Sequence, residues 1–314
     1  MDKDAKIYVA GHRGMVGSAI MRELAERGYR NVVVRASKEL DLRRQAETER
    51  FFSEEKPEYV FMAAAVVGGI LANIQGQARF LLENLQMSCN VIDSAVKNRV
   101  KKLLFLGSSC IYPKESSQPI SESSLLTGSL EPTNEGYAIA KISGLKLCEY
   151  FNLHNGAGFI GAMPCNLYGY NDNFDLETSH MLPALVRKFH EGKVNKSETV
   201  TVWGTGTAYR ELLFSRDVAK ACVFLMENYS EAQFLNVGSG EDHSISEIAE
   251  IVKGIVGFDG KIVYDKTKPD GMRRKLLDSS KIRALGWKPE YTLEAGIKLT
   301  YDWYVNKMHG SVSP

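Results

Sequence analysis

Three glycines mark the first strand-to-helix junction of the chain. An apolar run at residues 6–10 leads into Gly11, Gly14 and Gly17, and a helical pattern extends over residues 16–27. The first glycine permits a tight turn, the second lets a phosphate approach the backbone, and the third lets the helix pack closely on the strand. The spacing is one residue wider than in the usual dinucleotide fingerprint, so a plain turn with a packing contact remains an alternative. The strand before and the helix after favour a dinucleotide-binding unit.

Strands and helices alternate through the first half of the chain. The predicted strands are residues 6–10, 31–35, 59–62, 102–106 and 158–163. The helical patterns between them are residues 16–27, 45–55, 78–98 and 138–155. Alternation at this spacing predicts an α/β fold with a parallel, doubly wound Rossmann sheet. The nearly continuous apolar character of the strands is typical of strands buried on both faces.

The regular alternation of strands and helices in the sequence ends after Pro164. Residues 166–180 are polar and irregular, and predicted helices follow at 181–191, 245–256, 279–285 and 292–308, with strands at 234–238 and 262–264. We therefore predict a Rossmann domain of residues 1–165 with 211–240. Residues 166–210 with 241–314 form the predicted smaller, discontinuous α/β substrate domain.

Composition excludes several classes of function. The formal net charge of +1 over 314 residues provides no general basic field for nucleic acid or a membrane surface. The five cysteines are scattered without metal-ligand spacing, which argues for a reducing compartment and against disulfides or a metal site. Residues 1–6 carry acids and do not resemble a signal peptide, and the most apolar run, residues 59–72, is too short to cross a bilayer. We expect a cytoplasmic protein.

Two arginines bear on the choice of dinucleotide. Arg13 lies in the glycine turn and Arg35 at the end of the second strand, where an NAD site would usually place an acidic residue. Planar guanidinium groups bind phosphate through paired hydrogen bonds, so this pair favours the 2′-phosphate of NADP. The alternative is that either arginine is simply solvated.

Ser108, Tyr137 and Lys141 form the predicted hydride-transfer site. Ser108 follows the fourth strand, at the sheet edge where open α/β folds place ligands. Tyr137 and Lys141 lie one helical turn apart, and a nearby ammonium is expected to lower the pKa of a phenol. The serine hydroxyl would polarise the same substrate oxygen. A tyrosine and a lysine one turn apart on a helix surface often have no catalytic role. Their position in the chain after the glycine turn and Ser108 favours a catalytic site.

This order of residues resembles the extended short-chain dehydrogenase/reductases that act on nucleotide sugars. Further segments narrow the resemblance to the branch that epimerises and reduces GDP-4-keto-6-deoxy-D-mannose to GDP-L-fucose, over nearly the whole chain. These segments are residues 63–70, 106–113, 166–169, 171–175, 179–184 and 203–206, together with Arg210, Glu211 and Asp217. Tyr170 departs from the family pattern, in which a proline is expected, and Lys188 stands where the family often has arginine.

The resemblance implies roles for individual residues. Cys110 and His180 would be the acid and base that epimerise carbons 3 and 5, since thiols and imidazoles can both titrate near neutrality. Without the resemblance, Cys110 would be interpreted as a small buried residue and His180 as a surface residue at a helix start. The implied contacts with NADPH/NADP are Gly11, Arg13, Gly14, Met15, Val16, Gly17, Arg35, Asp41, Leu42, Ala64, Lys141, Pro164, Asn166, Leu167 and His180.

The resemblance also implies a GDP-sugar substrate and a homodimer. Asn166 would lie near the sugar, while Lys188, Trp203, Arg210 and Asp270 would bind the GDP portion. Alternatives are Trp203 as a core residue and Arg210 ion-paired to Asp217. Relatives pair through the helices predicted at residues 78–98 and 138–155. A related reductase or epimerase/reductase for a colitose-type or heptose substrate, and a non-catalytic NADP sensor, remain alternative functions.

Overall fold

A computed structural model describes residues 1–308 and residue 310 of the chain. Its largest sheet has six parallel strands in the order β2-β1-β3-β4-β5-β9. Two smaller sheets have the orders β10-β8-β6 and β11-β7. The strands are β1 (Ile7–Ala10), β2 (Val32–Val33), β3 (Tyr59–Met62), β4 (Lys102–Leu106), β5 (Phe159–Pro164), β6 (Asn166–Tyr168), β7 (Thr199–Trp203), β8 (Tyr209–Phe214), β9 (Leu235–Val237), β10 (Asp242–Ser244) and β11 (Lys261–Asp265).

Helices cover the large sheet and support the smaller ones. Near the large sheet, α1 packs against α6, and α3 packs against α2 and α4. In the part of the chain that the structure describes, no helix combines the length and apolar character needed to cross a bilayer. The helices are α1 (Met15–Glu26), α2 (Gln45–Glu55), α3 (Ile70–Lys97), α4 (Glu135–Asn155), α5 (Met181–Val194), α6 (Ser215–Asn228), α7 (Ile245–Val256), α8 (Ser280–Ala284) and α9 (Leu293–Met308).

The central strands are buried along their whole length. Every residue of β1, β4 and β5 is buried, because helices lie on both faces of the sheet. Even Lys102 in β4 is buried, and its ammonium donates to the carbonyl oxygens of Leu225 and Met226 at the C-terminal end of α6. That end of a helix favours a cation. The predicted doubly wound parallel sheet is confirmed.

The strand order places the functional site. The chain runs to opposite sides of β1 to form β2 and β3, so a crevice opens at the carboxyl ends of β1 and β3. The glycine turn follows β1, Ala63 and Ala64 follow β3, and Ser108 follows β4 soon afterwards. Parallel strands end at one edge of a sheet, so segments far apart in sequence meet there.

A second apolar core lies away from the large sheet. It is formed by α5, α7, α9 and the strands of the small sheets, and includes Phe189, Val200, Ile248 and Ile297. The segment around α8 does not belong to this second core. Its residues Leu277, Ile282 and Trp287 are part of the core of the large sheet. The domain boundaries predicted from the sequence stay a prediction.

Several elements differ from the sequence predictions. Strands β6, β7, β8 and β10 and helix α6 were not predicted. In β7 the residues alternate between exposed and buried, a pattern that its sequence, Thr-Val-Thr-Val-Trp, already contains. The helix predicted at residues 78–98 begins at Ile70, with a kink at Gly76. Strand β2 is only two residues long, against five predicted.

Candidate active site

The glycine turn after β1 is closely packed. Gly11 has a φ of +82°, and a Cβ there would lie 2.7 Å from the backbone nitrogen of Ala64. A Cβ at Gly17 would lie 2.1 Å from the carbonyl oxygen of Gly11, so neither position tolerates a side chain. Helix α1 starts at Met15, and its N-cap residue, Gly14, has no side chain that could cap the first N–H groups. Those N–H groups can bind an anionic phosphate, as the cradle of a dinucleotide requires.

The two arginines of the predicted phosphate site have different surroundings. Arg35 forms an ion pair with Glu55 at 2.5 Å and also donates to the carbonyl oxygen of Val34. Arg13 is exposed and makes no hydrogen bond or ion pair with the other residues that the structure describes. Its guanidinium is therefore the one of the two that a 2′-phosphate could bind without breaking an ion pair.

Asp41 and Leu42, the other predicted cofactor contacts beyond β2, lie in the turn before α2. The carboxylate of Asp41 accepts two hydrogen bonds of 2.8 Å from Arg43. Those bonds, with the charge of Arg43, hold the pKa of Asp41 below its usual value. Leu42 is buried, and its carbonyl oxygen accepts a hydrogen bond from Asn90 of α3.

A short turn at the end of β4 brings Ser108 and Cys110 together. Ser108 caps a 3-10 turn, Ser109–Ile111, and its hydroxyl accepts a 3.4 Å hydrogen bond from the backbone N–H of Cys110. The Cys110 side chain is buried. Burial raises the pKa of its thiol, and the charge of Lys275, the Ser108 hydroxyl and the charge of Lys141 act in the opposite direction.

Tyr137 and Lys141 face the same place from α4. The ammonium of Lys141 donates to the carbonyl oxygen of Leu106 at 2.8 Å and lies 5.7 Å from the Tyr137 ring centroid. Burial lowers the pKa of Lys141 to about 8. The pKa of Tyr137 is raised by burial and, to a lesser extent, by Cys110. The lowered phenol pKa that we expected from the sequence is therefore wrong for this arrangement, because desolvation of the phenol has the largest effect on its pKa.

Lys275 is a site residue that the sequence analysis missed. It lies in an extended segment whose backbone bonds to two neighbours: the Lys275 carbonyl accepts from the N–H of Glu211, and the Leu276 carbonyl accepts from that of Ile120. Burial lowers the pKa of Lys275. Its charge acts on the Cys110 thiol more strongly than that of Lys141. No local motif marks this lysine, since only the fold brings residue 275 to residue 110.

Burial shifts the pKa of His180, whereas the pKa of Cys110 is also affected by nearby charges. His180 directly precedes α5, and the loop before it is joined to the start of α3 by a hydrogen bond from the N–H of Gly69 to the carbonyl oxygen of Thr178. The residue is solvent-exposed as a whole, yet the protein atoms around its ring lower the pKa of the imidazole. A neutral imidazole can accept a proton. Among the described residues, no charged group contributes to the pKa shifts of both His180 and Cys110.

Residues 164–167 lie at and just after the carboxyl end of β5. Pro164 ends β5 beside Val237 of β9, and Asn166 begins β6 beside Leu212 of β8. Leu167 is half-buried and packs on the core of the large sheet. Within residues 1–308 and 310, no three His, Cys, Asp or Glu side chains are arranged to hold a metal ion.

The predicted nucleotide contacts lie on or beside the small sheets: Trp203 ends β7, Arg210 lies in β8, and Lys188 lies on α5. The ammonium of Lys188 lies 5.1 Å from the Trp203 ring centroid and donates to the carbonyl oxygen of Thr201. The Trp203 side chain is 39% exposed, which rules out the alternative of a core residue. Its ring is therefore available for stacking.

Arg210 and Asp270 tie a loop to this surface. The guanidinium of Arg210 donates to the carbonyl oxygens of Tyr209, Asp270 and Met272. Both carboxylate oxygens of Asp270 accept from Thr205, through its backbone N–H and its hydroxyl. The alternative pairing of Arg210 with Asp217 is wrong, because the Asp217 carboxylate accepts from the N–H groups of Glu290 and Tyr291.

Comparison with known proteins matches this geometry to a family. Residues 7–238 match the model of the NAD dependent epimerase/dehydratase family. GDP-L-fucose synthase 1 of Arabidopsis thaliana is 59% identical over 307 residues, which cover 98% of this chain and 95% of that protein. A GDP-6-OMe-4-keto-L-xylo-heptose reductase from C. jejuni superposes with a TM-score of 0.93 at 38% identity, covering 98% and 99% of the two chains. A GDP-L-fucose synthetase from Naegleria fowleri bound to NADP superposes with a TM-score of 0.90 at 28% identity, covering 98% and 96%. The glycine turn, the parallel sheet and these matches together show that the chain belongs to the NAD dependent epimerase/dehydratase family.

Proposed function

We propose that this protein is an NADPH-dependent enzyme that converts GDP-4-keto-6-deoxy-D-mannose to GDP-L-fucose. The observation that carries the proposal is the cluster at the carboxyl end of β4, where a buried thiol lies beside a serine, tyrosine and lysine set. Reduction of a ketone needs the serine, tyrosine and lysine, whereas the thiol adds the means to move protons beside the ketone. The relative from Arabidopsis thaliana carries the corresponding name.

Ser108, Tyr137 and Lys141 serve the reduction at carbon 4. The raised pKa of Tyr137 keeps its phenol protonated, so it can donate a proton to the substrate oxygen as the carbonyl is reduced. The Ser108 hydroxyl donates a hydrogen bond to the same oxygen and shares its developing charge. Lys141, held by the carbonyl oxygen of Leu106, places a positive charge next to the phenol.

Cys110 and His180 serve the epimerisations at carbons 3 and 5. One of them removes the proton beside the ketone and the other returns a proton to the opposite face. The enolate oxygen formed between these two events is stabilised by Ser108 and Tyr137. The lowered imidazole pKa keeps His180 neutral at neutral pH, so that its ring has a free nitrogen to act as the base.

The residues at the glycine turn suit NADPH. The uncapped N-terminus of α1 would bind the pyrophosphate, and Arg13 would bind the 2′-phosphate. When bound, NADPH supplies the hydride for carbon 4. Asp41, Leu42, Ala64, Pro164 and Leu167 would line the rest of the cofactor site, and the relative from Naegleria fowleri was solved with NADP bound.

The GDP portion of the substrate would bind at Trp203 and Lys188, with Asn166 near the sugar. The base would stack on the exposed Trp203 ring. The ammonium of Lys188, close to that ring, would bind the diphosphate. The guanidinium of Arg210, fixed by three carbonyl oxygens, supplies a second positive charge at this surface. Asp270 shapes the loop through Thr205.

A second candidate is a reductase of a GDP-4-keto-heptose. The observation that favours it is the TM-score of 0.93 to the heptose reductase from C. jejuni. Offering the protein a panel of GDP-4-keto sugars would separate the two, because only one substrate class should be turned over efficiently. A homodimer through α3 and α4 is part of our proposal, and a cytoplasmic location stays a prediction.

The decisive experiment is incubation with NADPH and GDP-4-keto-6-deoxymannose, followed by NMR identification of the sugar. We expect GDP-L-fucose from the wild type. Without NADPH and in deuterium oxide, we expect deuterium at carbons 3 and 5, and this exchange should be lost in Cys110→Ser and His180→Asn variants. Tyr137→Phe should slow reduction by about 10²–10⁴-fold and should slow exchange to a smaller extent, because Ser108 still stabilises the enolate oxygen.

Cys89→Ser and His154→Asn are matched controls, since both residues are exposed and lie away from the site. They should behave as the wild type does. Full exchange at both carbons in a double Cys110→Ser, His180→Asn variant would contradict the proposed roles of this pair. Failure to turn over the substrate at all would contradict the proposed function.

A further inference from the structure

The exposed end of the β7–β11 sheet carries a carboxylate beside the proposed stacking ring. Asp265 is paired in register with Trp203 across the two parallel strands. Residues of β7 alternate between the exposed and the buried face, and Trp203 belongs to the exposed set. Paired positions in a ladder project their side chains to the same face, so Asp265 shares the exposed face with Trp203. The turn that follows Trp203 is fixed by a 2.9 Å hydrogen bond from the N–H of Gly204 to the carbonyl oxygen of Asp265.

One oxygen of the Asp265 carboxylate is committed and the other is not. Oδ1 accepts from the backbone N–H of Thr267 at 3.0 Å and from its hydroxyl at 2.6 Å. Oδ2 has no hydrogen bond with any residue that the structure describes. The bonds from Thr267, with the nearby charges of Lys268 and Lys188, hold the pKa of this carboxyl below its usual value. The carboxylate is thus ionised at neutral pH and has an open acceptor.

Two ammonium groups flank the same ring. The Nζ of Lys188 lies 5.1 Å and the Nζ of Lys268 lies 5.2 Å from the Trp203 ring centroid. The surface therefore combines an aromatic platform, a hydrogen-bond acceptor with full negative charge, and donors with positive charge. These groups come from β7, β11 and α5 and from the loop after β11.

This combination matches guanine better than adenine. Guanine presents N–H donors at N1 and at its exocyclic amino group, next to the acceptors O6 and N7. A carboxylate accepts from both donors, and an ammonium donates to O6 or N7. Adenine offers an unprotonated N1 in place of the N–H, and its amino group occupies the position of O6. A carboxylate facing that edge would repel N1, which discriminates against adenine.

We propose that Asp265 is the residue that selects guanine over adenine in the nucleotide portion of the substrate. The inference rests on the proposed function, because it assumes that the base of a GDP-sugar stacks on Trp203. Asp265 contributes to binding and not to the chemical steps, so its loss should weaken nucleotide affinity and leave the rate at saturating substrate nearly unchanged.

Calorimetric titration of the full chain with GDP, inosine diphosphate and ADP tests the proposal. The wild type should bind GDP most tightly, inosine diphosphate less tightly because it lacks the amino group, and ADP weakest. In Asp265→Asn the amide would place a donor against N1–H of guanine, so GDP should bind about 10–100-fold more weakly. ADP should bind more tightly than to the wild type, because the repulsion of adenine N1 is removed and the amide N–H can donate to it. Asp265→Ser keeps an oxygen for the N–H of Thr267 but lacks the second acceptor, and it should lose selectivity as well. Asp259→Asn, also on the surface near β11, should bind as the wild type does.

The ratio of GDP to ADP affinity separates this role from a structural one. A damaged turn would weaken both nucleotides together and preserve the ratio. Wild-type selectivity that survives in both Asp265 variants would overturn the inference and leave the proposed function intact. A wild type that binds neither nucleotide, or binds ADP as tightly as GDP, would instead contradict the proposed function itself.

Discussion

At the scale of single residues, the chemistry depends on how far burial perturbs Cys110. Burial raises the pKa of the thiol, while the positive charges of Lys275 and Lys141 stabilise the thiolate. The ammonium of Lys141 already donates to the carbonyl oxygen of Leu106, whereas the ammonium of Lys275 forms no hydrogen bond or ion pair with the described residues. The charge of Lys275 is therefore the larger of the two effects on the reactivity of this thiol.

Replacement of Lys275 by methionine should shift the ionisation of Cys110 to higher pH. Methionine has a similar length without the charge, so the thiolate loses a stabilising interaction. We expect slower alkylation of Cys110 by iodoacetamide at every pH below the thiol pKa, as measured by mass spectrometry of the Cys110 peptide over a pH series. Lys275→Arg keeps the positive charge and should restore most of the reactivity.

Cys89 provides an internal control in the same samples, since it is exposed on α3 and distant in sequence from the site. Its alkylation profile should be identical in the wild type and in both Lys275 variants. If the Cys110 profile does not move in Lys275→Met, the charge of Lys275 does not stabilise the thiolate.

At the scale of elements, the ends of β1 and β2 decide how a dinucleotide can bind. The turn from β1 into α1 excludes side chains at Gly11 and Gly17 and leaves the first N–H groups of the helix without a side-chain cap. The end of β2 contributes Arg35, which is already paired to Glu55 of α2. The sequence made the two arginines look equivalent, and only the ion pair of Arg35 with Glu55 distinguishes them.

Arg13→Ala should therefore raise the KM for NADPH by about 10–100-fold, because a charged hydrogen bond to phosphate contributes about 1.5–3 kcal/mol. The KM for NADH, which lacks the 2′-phosphate, should be nearly unchanged. Arg35→Ala should have a smaller effect than Arg13→Ala. Steady-state kinetics with both cofactors provide the measurement.

Arg30→Ala is the matched control for these variants, because Arg30 is an exposed arginine just before β2. It should change neither KM. A wild type that uses NADH as efficiently as NADPH, judged by kcat/KM, would show that the arginines do not select the phosphate.

At the scale of the whole molecule, α3 and α4 leave apolar side chains exposed on one side of the large sheet. The two helices pack against each other. Ile74 and Leu82 of α3 are 49% and 57% exposed, and Ile139 of α4 is 39% exposed. A second copy of the chain could bury these side chains by two-fold symmetry, which is consistent with the proposed homodimer.

Leu82→Asp should convert such a dimer to monomers at micromolar concentration, because a charge would be buried without a partner. Light scattering should give twice the chain mass of 35.0 kDa for the wild type and a value near the chain mass for the variant. Val194→Asp, at the exposed end of α5, should remain dimeric. A monomeric wild type would exclude the dimer.

The sequence by itself determined the class of fold and the part of the site that is local in the chain. Periodicity and glycine spacing are short-range signals, so β1, α2, β3 and β4 could be predicted closely, as could the turn that holds Gly11 and Gly17. Ser108 could be found because it follows a predicted strand, and Tyr137 with Lys141 because they are one helical turn apart. Of the strands of the small sheets, β11 was predicted at residues 262–264, whereas β6, β7, β8 and β10 were missed; β6 and β10 are three residues long, which is too short for a clear pattern.

Only the tertiary structure decided which charges act on which groups. The charge of Lys275 acts on Cys110, although the two residues are far apart in the sequence. Glu55 of α2 forms an ion pair with Arg35. Asp265 lies beside Trp203 because β11 pairs with β7. Burial also reversed the pKa shift expected for Tyr137, since desolvation depends on every segment around a group. Spacing along the chain carries no information on such contacts, because Coulomb interactions and desolvation depend on distance in space.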